Sequence, residues 1–325
     1  MFLIAGISFN LFFINTDAYA ITEQNIETDP QYFFEDYPSL GSLPPKGRAE
    51  KLREIGDEEA AKKHEEKTNR GLFYDSLYEY TTHAYGFIAN EKGSTQNTVI
   101  RHAGNIEGDK SLKGKRISIL LDKIRVADYP GTGIHNILFD FYAQNYVTNQ
   151  EKPEHLHFNQ VFRGMEGQEV ATIGQPIFNG LRVGTMGISF KVMTINVEND
   201  TDELILNFFE SDTAKAGLGL AVTAQPAIAP LTGLAISVTK SILNKNKNIK
   251  VQEVNMGLDF DKFASGARLA KGSYVVVQIP DKLEFNWDWK NWHYDRSSGQ
   301  IVQTGSSPRT LIPYNYIMFR VVEYE

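Results

Sequence analysis

ISILLDKIRVADYPGTGIHNILFDFYAQNYV, residues 117–147, has the pattern of two β-strands joined by a turn. Apolar residues fill every second position from Ile117 to Leu121, which is the period of a half-buried strand. The alternation resumes one residue out of phase at Ile124 and Val126, so we expect a β-bulge between the two halves of this strand. The YPGTG turn then leads into a second run that is rich in aromatic and branched side chains.

Further segments of strand composition follow along the chain, separated by Gly, Pro and Asn turns. They are residues 156–162, 188–197, 204–209, 250–260, 273–279, 283–289, 292–294 and 316–324. Short strands in regular succession, without a fixed-period repeat, are typical of antiparallel sandwiches. We therefore predict a mainly β fold, an antiparallel β-sandwich that spans residues 113–325.

The N-terminal residues 1–20 have two interpretations. Residues 2–14 are apolar and a short polar stretch separates them from Ala18-Tyr19-Ala20, as in a secretory signal peptide. No Lys or Arg precedes the apolar run, which leaves a buried N-terminal strand as the alternative. The first interpretation predicts export to the periplasm or the medium, and the second predicts a cytoplasmic protein.

Residues 21–112 are predicted to form an acidic, helical N-terminal arm. Within them, residues 46–70 are dominated by Asp, Glu, Lys and Arg. Glu59 and Lys63 have the i,i+4 spacing and order that stabilise a solvated helix. We expect this helix to be broken or kinked near Gly56.

An apolar insert interrupts the β pattern at about residues 214–246. Residues 213–252 contain no Asp or Glu, although the chain has 40 acidic residues. Residues 230–243 have helical spacing of apolar side chains, and Pro226 and Pro230 argue against one continuous membrane-spanning helix. The candidate contact residues of the insert are Leu234, Ile236, Lys240, Lys245 and Lys247. The pattern fits a helix buried in the body and equally an element that contacts a membrane or an acidic partner.

All three tryptophans lie in residues 283–302, LEFNWDWKNWHYDRSSGQIV. A two-residue loop at positions 290 and 291 would create a hairpin that pairs Trp289 with Trp292 and Trp287 with Tyr294. These four candidate binding residues would then share one face. Such a face can stack a sugar, hold a nucleobase, lie at a lipid interface or simply close one end of the sandwich.

Two groups of side chains are candidate metal ligands. His155 and His157 would lie on one face of a strand at a spacing that some zinc sites use. Acidic residues also cluster at predicted loop tips, where carboxylates from several loops can gather around calcium. The calcium candidates are Asp128, Asp200, Asp202, Glu210 and Asp212.

The strand end VADYPGTG, the strand HNILFDFY and the later LILNFFESD together resemble a C2-type sandwich with acidic loops at one end. The resemblance implies either calcium-dependent membrane binding or metal-free protein binding. This chain departs from the calcium pattern because its first loop has Asp128 but no second carboxylate near residues 135 and 136. We therefore predict a domain without a cofactor, with calcium as the alternative.

The composition of the chain and its lack of known motifs exclude some classes of function. The chain has no cysteine, which removes thiol catalysis and disulfides, and no familiar catalytic motif. The net charge of −7 without a basic stripe argues against nucleic-acid binding. We predict a non-enzymatic binding module for a protein partner, a second copy of the chain or a membrane surface. The alternatives are a secreted, membrane-active toxin or pore protein that uses residues 216–243, and a glycan-binding or glycan-cleaving protein that uses the tryptophan hairpin.

Overall fold

The computed structural model describes residues 37–67, 78–90, 97–145, 154–198, 239, 242–244, 247–261 and 266–324. The fold is mainly β, as predicted. The strands are β1 Thr82–Ala89, β2 Asn97–Val99, β3 Arg101–His102, β4 Arg116–Val126, β5 Ile134–Asn145, β6 Glu154–Met165, β7 Gln168–Arg182, β8 Gly187–Val197, β9 Ile249–Asp259, β10 Gly266–Arg268, β11 Gly272–Ile279, β12 Trp292–Asp295, β13 Gln300–Gln303 and β14 Tyr316–Glu323. Two α-helices precede them, α1 Pro45–Glu54 and α2 Glu58–Lys67.

Three sheets make up the described body. The six-stranded sheet has the order β3-β1-β11-β14-β4-β7, the five-stranded sheet has the order β10-β9-β8-β5-β6, and the small sheet has the order β13-β12-β2. Among the described strands, neighbours are antiparallel except β9 and β10. The many crossovers mean that strands distant in sequence lie side by side.

The main core lies between the six-stranded and five-stranded sheets. Phe141 of β5 packs edge-on against Phe319 of β14, with ring centroids 5.8 Å apart, and against Phe190 of β8 at 5.0 Å. All three rings are nearly or completely buried. Face-to-face sheets with interdigitating side chains define a β-sandwich, so the predicted fold class is confirmed.

The predicted bulge in β4 is also confirmed. On the β14 side, Leu121 pairs with Phe319 and Lys123 pairs with Met318, so the residue between them in β4 has no pairing partner in β14. The register against β7 shifts at the same place. The extra residue is Asp122, and the bulge explains why the apolar alternation changes phase there.

The predicted break in the helical arm is confirmed as well. α1 ends at Glu54, and Gly56 has φ +85°, a left-handed conformation that glycine adopts at little cost. Asp57 then caps α2 by accepting from the backbone N–H of Ala60 at 3.1 Å. Its second oxygen accepts from the N–H of Gly131 at 3.0 Å, which ties the arm to the loop between β4 and β5.

Arg48 holds the start of the arm together. Its guanidinium is 3% exposed and donates to the carbonyl oxygen of Leu43 at 2.7 Å and to that of Leu40 at 3.2 Å. It also forms an ion pair with Glu79 at 2.7 Å. The arm is therefore packed on the body, against the end of the sandwich where β4 finishes and β9 begins.

Several expectations about individual elements are corrected. Residues 21–112 contribute β1, β2 and β3 to the sheets, so this region is not only a helical arm. β7 was not expected because its Gly and Pro residues hide the alternation, and such residues are tolerated on an edge strand with bulges. The predicted strands at 204–209 and most of the predicted insert lie outside the described residues, as do residues 1–20.

Other elements pack on part of the outer face of each large sheet. The small sheet packs on the outer face of the six-stranded sheet through a cluster that includes Val275, Val277 and Trp289. Ile242 and Leu243, near the end of the predicted insert, pack on the outer face of the five-stranded sheet. None of the helices in the described ranges combines the length and the hydropathy needed to cross a bilayer.

Candidate binding site at the tryptophan cluster

The three tryptophans form one aromatic cluster on the outer face of the six-stranded sheet. The ring of Trp287 stacks on Trp292, with centroids 5.9 Å apart and an interplanar angle of 8°. Trp289 meets Trp287 edge-on at 5.4 Å. Tyr314 packs against the same Trp287 ring at 6.1 Å. The cluster is therefore a preformed group of rings rather than a set of independent surface side chains.

The predicted tryptophan hairpin is wrong. Residues Trp289–Asn291 form a 3-10 helical turn, and Trp292 pairs with Gln303 of β13 instead of Trp289. Asp288 causes the difference, because its carboxylate caps this turn by accepting from the backbone N–H of Lys290 at 2.9 Å. The hairpin that does form joins β12 to β13 through residues 296–299.

Burial differs sharply within the cluster. Trp289 is only 4% exposed and packs beneath the other two rings, which are half-buried. Gly86 of β1 permits this packing, because a Cβ added there would lie 2.8 Å from Cζ2 of Trp289. Trp289 thus supports the cluster, and Trp287 and Trp292 are the tryptophans that reach the surface.

Phe285 is a further exposed aromatic residue, two positions before Trp287 in the chain. It is 91% exposed and lies on the turn that precedes Trp287. We refer to Phe285, Trp287 and Trp292 as the aromatic surface. Sequence reasoning did not select Phe285, because the predicted strand at 283–289 assigned it to a sheet. Its position between charged residues in KLEFNWD was the signal that could have identified a surface residue.

The turn that carries Phe285 is anchored firmly. Asp281 accepts hydrogen bonds from the backbone N–H groups of Thr81 at 3.0 Å and Thr82 at 3.1 Å. The hydroxyl of Thr81 donates to the same carboxylate at 2.8 Å. The turn is thereby tied to the start of β1, and Phe285 follows four residues after this anchor.

Tyr294, the fourth predicted aromatic contact, connects the cluster to a cleft. It packs against the cluster from β12, and it also lines a cavity of about 360 Å³ beside the six-stranded sheet. It does not pair with Trp287, since its partners in the small sheet are Ile301 and Thr98.

Among the calcium candidates, Asp128 is the one within the described residues. Burial raises the pKa of Asp128 to about 6, and the carboxylates of Glu166 and Asp57 add to the rise. In the described ranges, no group of three or more His, Asp or Glu side chains is placed to hold a metal ion. The other candidates, Asp200, Asp202, Glu210 and Asp212, lie outside the described residues.

His157 has a carboxylate partner. Its Nε2 lies 2.5 Å from Oδ2 of Asp140, and both side chains are fully buried. The same oxygen of Asp140 accepts from the hydroxyl of Thr239 at 2.6 Å, and Asn159 donates to that hydroxyl at 3.1 Å. This buried network ties Thr239, in the predicted insert, to strands β5 and β6. The side chain of His155, the other histidine of the predicted pair, lies outside the described part of the structure.

Lys247 is the one predicted insert contact in the described part of the chain. It forms an ion pair with Glu198 at the end of β8. The remaining predicted contacts of the insert, Leu234, Ile236, Lys240 and Lys245, lie outside the described residues.

No protein-family model, no curated protein and no solved structure matches this chain. Its function is therefore inferred from the geometry of the residues above.

Proposed function

We propose that the protein is a non-enzymatic binding module built on a C2-like sandwich, and that it binds a protein partner through the aromatic surface. The observation that carries this proposal is the burial of Thr239 and Ile242, both 0% exposed, and of Leu243, which is 8% exposed. A protein-binding module is expected to keep the insert on its body. A membrane-active protein would need to release the insert into lipid.

Release of the described end of the insert would be costly. Ile242 and Leu243 would lose their contacts with the five-stranded sheet, at about 1.5–3 kcal/mol for each side chain. The hydrogen bond between Thr239 and Asp140 would also break, which leaves a buried carboxylate with one donor fewer. These terms favour a body to which the end of the insert stays attached.

The aromatic surface has the properties of a contact site for a protein. Tryptophan and other aromatic side chains supply much of the binding energy of protein interfaces. Because Trp287 is already stacked on Trp292, little side-chain entropy is lost when a partner binds. Phe285, at 91% exposed, is the residue with the most apolar area left to bury.

The charges nearby favour a protein over a membrane. The exposed charged residues within five positions of Phe285 are Asp281, Lys282, Glu284, Asp288 and Lys290, three acidic and two basic. The whole chain has a net charge of −7. Neither feature attracts anionic lipid, which recruits surface-bound proteins through clusters of Lys and Arg.

A non-enzymatic function fits the buried network around Asp140. The hydroxyl of Thr239 donates to the carboxylate of Asp140 rather than to the imidazole of His157, so the imidazole does not act on it as a base. All three side chains are also shielded from solvent. The arrangement thus serves packing and not nucleophilic catalysis.

Photo-crosslinking from position 285 tests the proposal. Benzoylphenylalanine replaces Phe285 in one full-length variant and Met186 in a control variant, because Met186 is 55% exposed between β7 and β8. After illumination in an extract of the cells that make the protein, we expect a discrete protein adduct from position 285 and none from position 186. Excess unlabelled wild-type chain should suppress the adduct, and an excess of the Phe285→Ser chain should not.

The outcomes separate the alternatives. An adduct of twice the chain mass would identify the partner as a second copy. Lipid adducts at position 285, or equal adducts at both positions, would overturn the proposal.

A further inference from the structure

A cleft of about 360 Å³ lies between β12 with the loop that follows it and the outer face of the six-stranded sheet. Its charged and phenolic lining comprises Asp122, Lys123, Glu169, Tyr294, Arg296 and Arg320. The volume falls within the range of small-molecule sites. These residues come from strands that are far apart in sequence, so the cleft exists only because the small sheet packs on the six-stranded sheet.

Both acidic groups of the cleft are already engaged. Glu169 accepts from Nζ of Lys123 at 2.8 Å and from the hydroxyl of Tyr316 at 2.5 Å. Asp122 accepts from Nη2 of Arg320 at 2.8 Å and from the N–H of Gly174 at 3.1 Å. These contacts fix the wall of the cleft and leave the carboxylates little capacity for a ligand.

Hydrogen-bond donors of the cleft lining, in contrast, remain available to a ligand. Nε of Arg320 is buried and has no hydrogen-bond partner within the described residues. The hydroxyl of Tyr294 likewise makes no hydrogen bond to any residue that the structure describes, although it faces the cleft. Arg296 is held at the cleft by its bonds to the hydroxyl of Thr98 at 2.7 Å and to the carbonyl oxygen of Ala89 at 3.2 Å.

The charge of the lining agrees with an anionic ligand. Lys123, Arg296 and Arg320 contribute three positive charges, and Asp122 and Glu169 contribute two negative charges, which leaves one positive charge. An arginine N–H beside a free hydroxyl is the donor pattern that recognises carboxylate and phosphate oxygens.

We infer that this cleft binds a small molecule with one anionic oxygen group, a carboxylate or a phosphate, held by Nε of Arg320 and the hydroxyl of Tyr294. Arg296 adds a second positive charge at the same site. Ile88 and Met318 supply an apolar wall for the carbon skeleton. The site is distinct from the aromatic surface, and Tyr294 is the residue that touches both.

Titration calorimetry of the full-length protein tests this inference with three ligands at matched ionic strength. Glucuronate supplies a carboxylate, inorganic phosphate supplies a phosphate, and glucose is the neutral match for glucuronate. We expect saturable one-to-one binding of at least one anion and none of glucose. Whether glucuronate or phosphate binds identifies the anionic group.

Two variants assign the binding to this cleft. Tyr294→Phe removes only the hydroxyl, and Arg320→Lys removes Nε but keeps the charge beside Asp122. Each is expected to weaken binding about tenfold or more, because each loses a hydrogen bond to a charged group. Arg53→Lys is the control, since Arg53 pairs with Glu58 at 3.5 Å in the helical arm and is not part of the lining.

The result that would overturn the inference is the absence of saturable binding by either anion. Unchanged affinity in both Tyr294→Phe and Arg320→Lys would overturn it equally. Thermal unfolding checks that each variant is folded. If Arg320→Lys unfolds, Tyr294→Phe decides alone, because it preserves the ring and its packing.

Discussion

Replacement of Asp140 by alanine is expected to lower the free energy of unfolding by about 3–5 kcal/mol. Asp140 is fully buried, and its Oδ2 accepts from His157 at 2.5 Å and from Thr239 at 2.6 Å. Without the carboxylate, both groups stay buried and lose this acceptor, which costs more than a solvent-exposed hydrogen bond would. Urea unfolding of the full-length protein, followed by tryptophan fluorescence, measures the change.

Two milder variants separate the contributions to this effect. Asp140→Asn keeps one acceptor oxygen, so we expect a smaller loss than with alanine. Thr239→Val removes only the hydroxyl and is expected to cost about 1 kcal/mol. A value for Asp140→Ala within 1 kcal/mol of the wild type would contradict the view that this network fastens the insert to the sheet.

Replacement of Asp128 by asparagine is expected to stabilise the protein at neutral pH. Burial raises the pKa of Asp128 to about 6, and the unfolded value is about 3.9. Because the folded pKa is the higher one, ionisation disfavours the folded state. The ionisation of Asp128 does not affect the free energy of unfolding below about pH 4. It lowers this free energy as the pH rises from about 4 to about 6, and the loss stays constant above that. Asparagine avoids this loss of about 2 kcal/mol at pH 7, a figure that allows for partial solvent exposure.

Unfolding curves at pH 4, 5, 6, 7 and 8 measure this difference. The gain in Asp128→Asn should be near zero at pH 4 and largest at pH 7 and 8. Asp57→Ala is the control on the neighbouring carboxylate, and it should destabilise the protein because Asp57 caps α2 and bonds Gly131. A variant Asp128→Asn that is less stable than the wild type at pH 7 would refute the electrostatic explanation.

The sequence predicted those parts of the fold that depend on local periodicity. β4 and its bulge at Asp122 were recognised because the apolar positions change phase there, and Gly56 was recognised as a break between helices. β7 was not recognised, since this edge strand contains Gly174 and Pro176 and lacks a clear alternation of apolar and polar residues. β1 was also missed, because its aromatic residues gave no signal that it pairs with β11.

The candidate sites were less predictable, because they depend on packing between distant segments. The tryptophans were expected to share one cluster, and they do, but the capping by Asp288 changes which rings face each other. The cleft combines Asp122, Glu169, Tyr294 and Arg320, which belong to four different strands. No spacing along the chain reveals that these strands converge.

Vesicle flotation separates a protein-binding module from a membrane-active protein most directly. The full-length protein is mixed with neutral phosphatidylcholine vesicles or with vesicles that also contain phosphatidylserine, with and without millimolar calcium. We expect it to stay at the bottom of the density gradient in every mixture, because the described end of the insert is buried and the surface around Phe285 carries no excess of positive charge. Flotation that Phe285→Ser abolishes would contradict this assignment and would make the aromatic surface a membrane contact.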